Sequence, residues 1–453
     1  MSSFSLQDNA EWQSFGISGT NAHVILEQAP AEFATVELAP NRPLVVPWVL
    51  SAKSASALAE QATRLQRFIE QRTDADPHDV AYSLAARASF DHRAVVVGAD
   101  RDDLLRGLAA IASGAPAPNV AIGKAAAAGG TVFIFPGQGT QWTGMAVELP
   151  DSAPVFADQM RLCDAAFAEF VDWSLLEVVR GGVGSPSLDR VDVVQPVLFA
   201  VMVSLAAQWR ALGIQPDAVL GHSQGEIAAA YVAGALSLRD AAKVVTLRSK
   251  AITAIAGTGG MVSIPRSVQQ VWALIEPWGK SISLAAQNGP SSTVVTGNAA
   301  ALDALMAACD RDNLPVKRIA ANCASHSAHV EELRETLRES LSGLQPRASD
   351  IAFISAVTGA GLDASILDGD YWFANLRQPV LFEQAVRWAY EHGYRTFIES
   401  SPHPVLTVSI QESLEDYDDD HTMVGTLQRN EGGMRPFLPS ADEPHAVDRD
   451  GHQ

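Results

Sequence analysis

The run PDAVLGHSQGEIAAAYVAGALS, residues 216–237, constrains the fold more than any other stretch. An apolar strand-like piece, a turn with two glycines in five residues and an Ala-rich helical piece follow one another with no room for a loop. That order is the strand–turn–helix junction of an α/β sheet, with Ser223 at its apex. Two readings of Ser223 stand side by side. In one it is a nucleophile on a Gly-x-Ser-x-Gly elbow, its oxygen presented where free backbone N–H groups and the helix dipole favour a developing oxyanion. In the other the small residues only make a tight turn and Ser223 caps the helix. The placement of the pattern, between an apolar strand and a helix, favours the nucleophile.

A serine nucleophile needs a base. His222 is adjacent, but on so tight a turn its side chain is expected to point away. The better candidate is His326 in NCASHSAHVEEL, residues 322–333, at the start of a helical pattern. His329, three residues on, leaves open a His-x-x-His metal pair, although no third ligand stands at useful spacing. A plain capping or surface role for His326 is the remaining alternative. No acid stands clearly between Ser223 and His326 to orient the imidazole, so a backbone carbonyl is expected instead, with the SPHPVL loop near His403 as the candidate. Arg248, in VVTLRSKAI, is either a solvated helix arginine or a buried anion ligand.

The rest of the chain supports an α/β reading. PLVVPWVLSA and HRAVVVGA read as strands, and SASALAEQATRLQRFIEQ and RDDLLRGLAAIASG as helices, with GKAAAAGG (123–130) as a linker. TVFIFPGQGTQWTGM opens a second block. VVQPVLFAVMVSLAAQWRALG is helical and apolar nearly all round, hence buried. Between 258 and 322, MVSIP, SISLAAQ, STVVTG and VKRIAA read as strands with helices after the first and third, the β-α-β-β-α-β order of a ferredoxin-like unit. AHVEELRETLRESLSGL (328–344) then reads as one helix, and RTFIES as a last strand before SPHPVL and a final helix. Residues from 439 have no core-forming pattern and read as a disordered tail.

The net charge of −20 argues against nucleic acid or an anionic membrane as the main partner. The three scattered cysteines, Cys163, Cys309 and Cys323, suit a reducing cytoplasm. The N-terminus has no secretory-signal pattern, and no uninterrupted apolar run reaches membrane-spanning length.

Five motifs in order, GQGTQW, GHSQGE, LRSK, NCASHSAHVE and SPHPVL, resemble the acyltransferase domains of modular type I polyketide synthases. The resemblance covers roughly residues 130 to 430. SFGISGTNAHVILEQAP (14–30) resembles the last strand of a ketosynthase. GTLQRNEGGMRPFL resembles the start of the linker that follows the acyltransferase. The first dozen residues and the last fifteen do not match, and no ketosynthase cysteine motif is present. The resemblance implies a fold and a division of the chain. The fold is an α/β-hydrolase-like large subdomain (128–257 and 323–425) with an inserted ferredoxin-like small subdomain (258–322). A ketosynthase remnant with a non-native leader (1–30) and a small α/β linker domain (31–127) precede it, and a post-acyltransferase linker and tail (426–453) follow.

The resemblance also implies a mechanism. Ser223 takes an acyl group from CoA with His326 as base, the backbone N–H groups of Gln138 and Gln224 hold the oxyanion, and Arg248 binds the free carboxylate of a malonyl-type unit. The acceptor is the phosphopantetheine thiol of an acyl carrier protein, beside a ketosynthase, with no permanently bound cofactor and no metal. Gln224, RVDVVQPV (190–197) and Cys323-Ala324-Ser325 resemble pockets for an α-substituted malonyl unit. Methylmalonyl is expected first, and ethylmalonyl or a longer alkylmalonyl second, because Cys323 replaces a tyrosine. A serine hydrolase or thioesterase and a catalytically silent scaffold fragment remain the alternatives.

Overall fold

A computed structural model describes residues 10–15, 21–26, 45–124, 129–319, 323–417, 420–434 and 437. The chain divides into two compact units, 1–43 and 44–453. In the first, β1 (Ala10–Phe15) pairs antiparallel with β2 (Asn21–Leu26), Ala10 opposite Leu26 and Phe15 opposite Asn21. The segment that resembles a ketosynthase's last strand thus contains β2, which pairs within its own unit.

The second unit begins with a three-stranded antiparallel sheet, β3 (Val46–Ala52), β4 (His92–Gly98) and β5 (Val120–Lys124), in the order β3-β4-β5. The helices Ala55–Gln71 and Arg101–Ser113 cover it, capped at their starts by Ser54 and Asp100. Trp48, Leu58, Val96 and Leu108 form its core. The sequence reading missed β5 and the helix Pro77–Ala85.

The main body follows. β6 (Gly130–Phe135) and β7 (Ala218–Gly221) are entirely apolar or glycine apart from Thr131, as strands buried on both faces must be. The helix Val191–Ala211 runs between them and is buried almost all round. It is long and apolar enough to cross a membrane, but its surface is spent on the interior of the protein.

The chain next forms β8 (Gly259–Ile264), β9 (Ile282–Gly289), β10 (Ser292–Asn298) and β11 (Lys317–Ile319). Their order, β11-β8-β10-β9, is that of a ferredoxin-like sheet. The helices Val268–Ile275 and Ala299–Arg311 pack on it, the first closed by a Ser267/Gln270 capping box and the second capped by Asn298.

The chain then returns to the body as β12 (Ala352–Ser355), β13 (Ala360–Leu362), β14 (Val380–Leu381), β15 (Tyr394–Glu399) and β16 (Thr422–Gly425). The large sheet runs β13-β12-β7-β6-β15-β16, parallel except for β13. β14 joins the small sheet instead, parallel to β9, with Val380 opposite Ala286.

Two expectations change. RTFIES is not the last strand, because β16 adds beside it. Residues 328–344 are not one helix but a 3₁₀ segment, Ala328–Leu333, followed by a short α-helix, Arg334–Ser340. Val330, Leu333, Leu337 and Leu341 are all buried, and spacings of three and four serve either helix type over so short a span. Packing continues past 425. Thr426, Leu427 and Phe437 are buried, and Phe437 lies 4.8 Å, centroid to centroid, from Trp209. The tail from 439 lies outside the described residues.

Candidate active site

The elbow is built from what its glycines leave out. A Cβ on Gly221 would stand 2.1 Å from the Glu226 nitrogen, and one on Gly225 1.9 Å from the Phe135 carbonyl oxygen. Only glycine lets β7, the turn and β6 approach this closely. Ser223 itself sits at φ 55°, a left-handed conformation that a non-glycine residue adopts at a cost and that marks functional turns. Ser223 lies at the entry to the helix Gly225–Ala233, with only Gln224 between them.

Ser223 Oγ and His326 Nε2 are 2.8 Å apart, 103 residues apart in sequence. His326 also has a left-handed backbone, φ 60°, and its own N–H donates to the Leu376 carbonyl. Its Nδ1 lies 2.7 Å from the Gln378 carbonyl oxygen. A carbonyl can only accept, so Nδ1 carries the proton and Nε2 offers a lone pair to the serine. Burial pushes the imidazole down to about 3, with the Gln378 contact opposing and the Arg248 charge adding to the shift, so the ring is neutral and ready to accept a proton.

The orienting carbonyl belongs to Gln378, not to the SPHPVL loop. His403 Nδ1 instead accepts the Arg429 N–H, and Pro402 offers its carbonyl to Trp142 Nε1. Buried Glu399 holds that loop by accepting from the N–H groups of Val405 and Leu406 and from the Ser401 hydroxyl, which leaves it no reach to the dyad. His222 turns away from Ser223, and its Nε2 meets the Asn288 Oδ1 on β9 at 2.8 Å. His329 is the second residue of the 3₁₀ segment, its N–H on the Ser327 hydroxyl.

Arg248 is not a solvated helix arginine. It is 1% exposed, on the buried side of the helix Leu238–Thr253. Nη1 donates to Gln195 Oε1 at 3.1 Å and Nη2 to Asn375 Oδ1 at 3.2 Å, while Nε has no partner among the described residues. No carboxylate pairs with it among the described residues. Desolvation lowers it to about 10, which still leaves it charged near neutrality. A buried cation held by two neutral amides is an incomplete ion pair.

Gln224 is also buried, and neither its Oε1 nor its Nε2 has a hydrogen-bond partner among the described residues. Cys323 and Ala324 are buried, and Cys323 Sγ is 3.2 Å from Ser325 Oγ. The loop carrying Gln138 lies against the elbow, since a Cβ on Gly137 would stand 3.4 Å from His222 Nδ1 and 4.0 Å from the Ser223 Cβ.

Sequence reasoning missed several residues beneath the site. Glu226, fully buried, accepts from the Ala356 N–H at 2.5 Å, the Tyr371 hydroxyl at 2.7 Å and Asn375 Nδ2 at 2.8 Å. Burial raises its carboxyl to about 7 against those bonds. Asn375 Nδ2 also donates to the Ser223 carbonyl at 3.0 Å. Glu226 and Gln195 stand inside motifs already singled out, so their burial was the missing signal. Nothing local marks Asn375 or Gln378.

A serine on a strained elbow, a neutral histidine within hydrogen-bond distance and a buried cation beside them define an α/β enzyme of serine acyl transfer. The sequence profile of the Acyl transferase domain family matches residues 132–450, and that of "CurL-like, PKS C-terminal" matches residues 47–108. The chain belongs to the acyltransferase domains of modular polyketide synthases.

It is 56% identical over 436 residues to the Mycoketide-CoA synthase of Mycobacterium tuberculosis, covering 94% of this chain and 10% of that protein. It thus spans about a tenth of the length of this curated relative. The acyltransferase domain from module 8 of the salinomycin polyketide synthase superposes with a TM-score of 0.87 at 50% identity, covering 89% of this chain and 97% of that one. The acyltransferase domain of SpnD, in complex with 2-(pent-4-yn-1-yl)malonyl, superposes with a TM-score of 0.78 at 25% identity, covering 90% and 98%.

Proposed function

We propose that this chain loads an α-substituted malonyl unit from CoA onto Ser223 and passes it to the phosphopantetheine thiol of an acyl carrier protein. Methylmalonyl is the first choice, and ethylmalonyl or a longer alkylmalonyl the second. The observation that carries the reading is the buried Arg248 guanidinium with no acid on it among the described residues, close enough to lower the affinity of His326 for a proton. A free carboxylate completes that ion pair, and a planar guanidinium binds it through two N–H groups.

The proposed steps use these groups in turn. Ser223 Oγ attacks the thioester carbonyl as His326 Nε2 takes its proton. The buried imidazolium persists only while it faces the new oxyanion, whose charge it balances. The N–H groups of Gln138 and Gln224 hold that oxyanion. The intermediate collapses to the serine ester, and His326 returns the proton to the departing CoA sulfur. In the second half the pantetheine thiol gives its proton to Nε2, attacks the ester, and His326 returns the proton to Ser223 Oγ. A thioester and an ester are close enough in energy for transfer to run both ways, so water must be kept from the ester.

Gln224, Gln195 within RVDVVQPV, and Cys323-Ala324-Ser325 are read as the walls around the α-substituent. The small Cys323 and Ser325 side chains leave it room. The SpnD relative holds a 2-(pent-4-yn-1-yl)malonyl unit, which supports an α-substituent on this fold. The division of the chain is read as before: remnant 1–30, linker 31–127, large subdomain 128–257 and 323–425, small subdomain 258–322, post-acyltransferase segment from 426. The three free, buried cysteines fit a cytoplasmic setting beside a ketosynthase.

Intact-protein mass spectrometry with a mixture of malonyl-, methylmalonyl-, ethylmalonyl- and propionyl-CoA tests the reading. The expected result is one stable adduct, of methylmalonyl mass or longer, absent in Ser223→Ala and discharged by a phosphopantetheinylated carrier protein. Rapid release of free acid with no adduct would establish a hydrolase instead, and no turnover at all a scaffold.

A further inference from the structure

We propose that Asn375 is a positioning residue that fixes Arg248 relative to the nucleophile and links it to Glu226, a buried acid beneath the carboxylate site. The inference rests on the reading of Arg248 as the carboxylate ligand. The distances make one amide the meeting point of three groups. Its Oδ1 accepts from Arg248 Nη2 at 3.2 Å, and its Nδ2 donates to Glu226 Oε2 at 2.8 Å and to the Ser223 carbonyl at 3.0 Å. Asn375 is buried, on the helix Gly369–Arg377, so these are its native contacts rather than surface accidents.

The amide orientation is chemically forced. Turned over, its NH₂ would face the guanidinium donors and its oxygen would face a carboxylate and a carbonyl. Only asparagine's pairing of one acceptor with one donor group serves both sides. Aspartate has the same shape but no donor. It would place an anion beside Glu226 and the Ser223 carbonyl, and would occupy the guanidinium that the substrate needs.

The arrangement answers a difficulty in the site. A cation buried with no acid in contact is costly, and a cation paired directly with an acid has no vacancy for substrate. Here the acid is set one amide away. Arg248 uses one N–H on each Nη for Gln195 and Asn375, which leaves its Nε–H and a second N–H on each Nη for a carboxylate. Glu226 is in turn held by the Ala356 N–H and the Tyr371 hydroxyl, so its position does not depend on whether substrate is bound. The same Nδ2 that reaches Glu226 holds the Ser223 carbonyl, which keeps the nucleophile and the guanidinium at a set separation.

The test is the rate of acyl-Ser223 formation by rapid-quench intact mass, with methylmalonyl-CoA and propionyl-CoA as donors, for Asn375→Asp, Asn375→Ser, Glu226→Gln/Asn375→Asp and Arg248→Ala. Thermal unfolding of each variant is recorded alongside. Asn375→Asp is expected to raise the half-saturating concentration of methylmalonyl-CoA at least tenfold more than that of propionyl-CoA. In the double variant the amide introduced by Glu226→Gln can donate to the new carboxylate, and at least threefold of that loss is expected to return. If Asn375→Asp does not fold, the smaller Asn375→Ser carries the same expectation of a donor-selective loss. Equal losses on both donors would reduce Asn375 to a structural role and overturn the proposal. A selective loss in Arg248→Ala with none in the Asn375 variants would leave the carboxylate reading standing and remove this inference. No selectivity change in Arg248→Ala would sink both.

Discussion

Replacing Arg248 by alanine should separate carboxylated from plain acyl donors, and the size of the separation follows from the site. The guanidinium is 1% exposed and shares its charge with no acid in contact among the described residues. A substrate carboxylate would take two charge-assisted hydrogen bonds, each worth about 1.5–3 kcal/mol net. Two such bonds come to roughly 3–6 kcal/mol, and each 1.4 kcal/mol is about tenfold, so the specificity constant for methylmalonyl-CoA should fall by roughly 10²–10⁴. Propionyl-CoA, which differs by that carboxylate alone, should lose far less. It feels only the Gln195 and Asn375 amide oxygens left without a donor, a cost of about 1–3 kcal/mol each that falls mainly on folding. The assay is single-turnover acylation with both donors, followed by denaturation to check folding. A loss of equal size on both donors would refute the argument, because the guanidinium would then be supporting the fold and not the substrate.

Three further expectations can be checked with the same protein. Cys323→Tyr should narrow the donor range toward methylmalonyl by about 1 kcal/mol per excluded methylene. Unchanged competition between methylmalonyl- and hexylmalonyl-CoA would show that the residue does not bound the pocket. Gly225→Ala should cost at least about 2–3 kcal/mol or abolish folding, since its Cβ would stand 1.9 Å from a backbone oxygen that has no rotamer to change; chemical denaturation reads it, and a near-neutral result would contradict the packing of the elbow. The carboxyl of Glu399 is raised by burial from 4.5 to about 7, so the stability it contributes is present below about pH 4.5 and lost as pH rises through 7. At about 1.4 kcal/mol per unit, wild type should lose roughly 3 kcal/mol relative to Glu399→Gln across that window, and a pH-independent difference between the two would rule the linkage out. His326, whose lowered affinity gives the opposite slope, is common to both proteins and cancels.

Much of this was legible before any coordinates. The elbow could be read because Gly221 and Gly225 sit at fixed offsets from Ser223, and a steric requirement of that kind is written in local sequence. The ferredoxin-like unit could be read because its strands and helices alternate at regular lengths. What escaped was set by partners far away in the chain. β14 is two residues long and exists only because β9 accepts it, and β16 is four residues that pair only beside β15. The carbonyl that orients His326 belongs to Gln378, and a carbonyl carries no signature of its own in sequence. The Arg248 guanidinium is held by Gln195 and Asn375, which lie 53 residues before it and 127 after it. Helical spacing placed Arg248 on a helix but could not say which way that helix faced.

The pairing of β14 with β9 bears on any attempt to exchange parts between such enzymes. Only Pro379 separates Gln378 from Val380, so the inserted sheet grips the backbone almost at the point where the imidazole is oriented. Asn288, on the same β9 strand, holds the histidine next to the nucleophile. A graft of residues 258–322 from another acyltransferase would therefore bring in a foreign seat for both halves of the catalytic pair. Chimeras that carry 378–381 and 222 along with the insert should keep their activity better than those cut at the apparent domain seams.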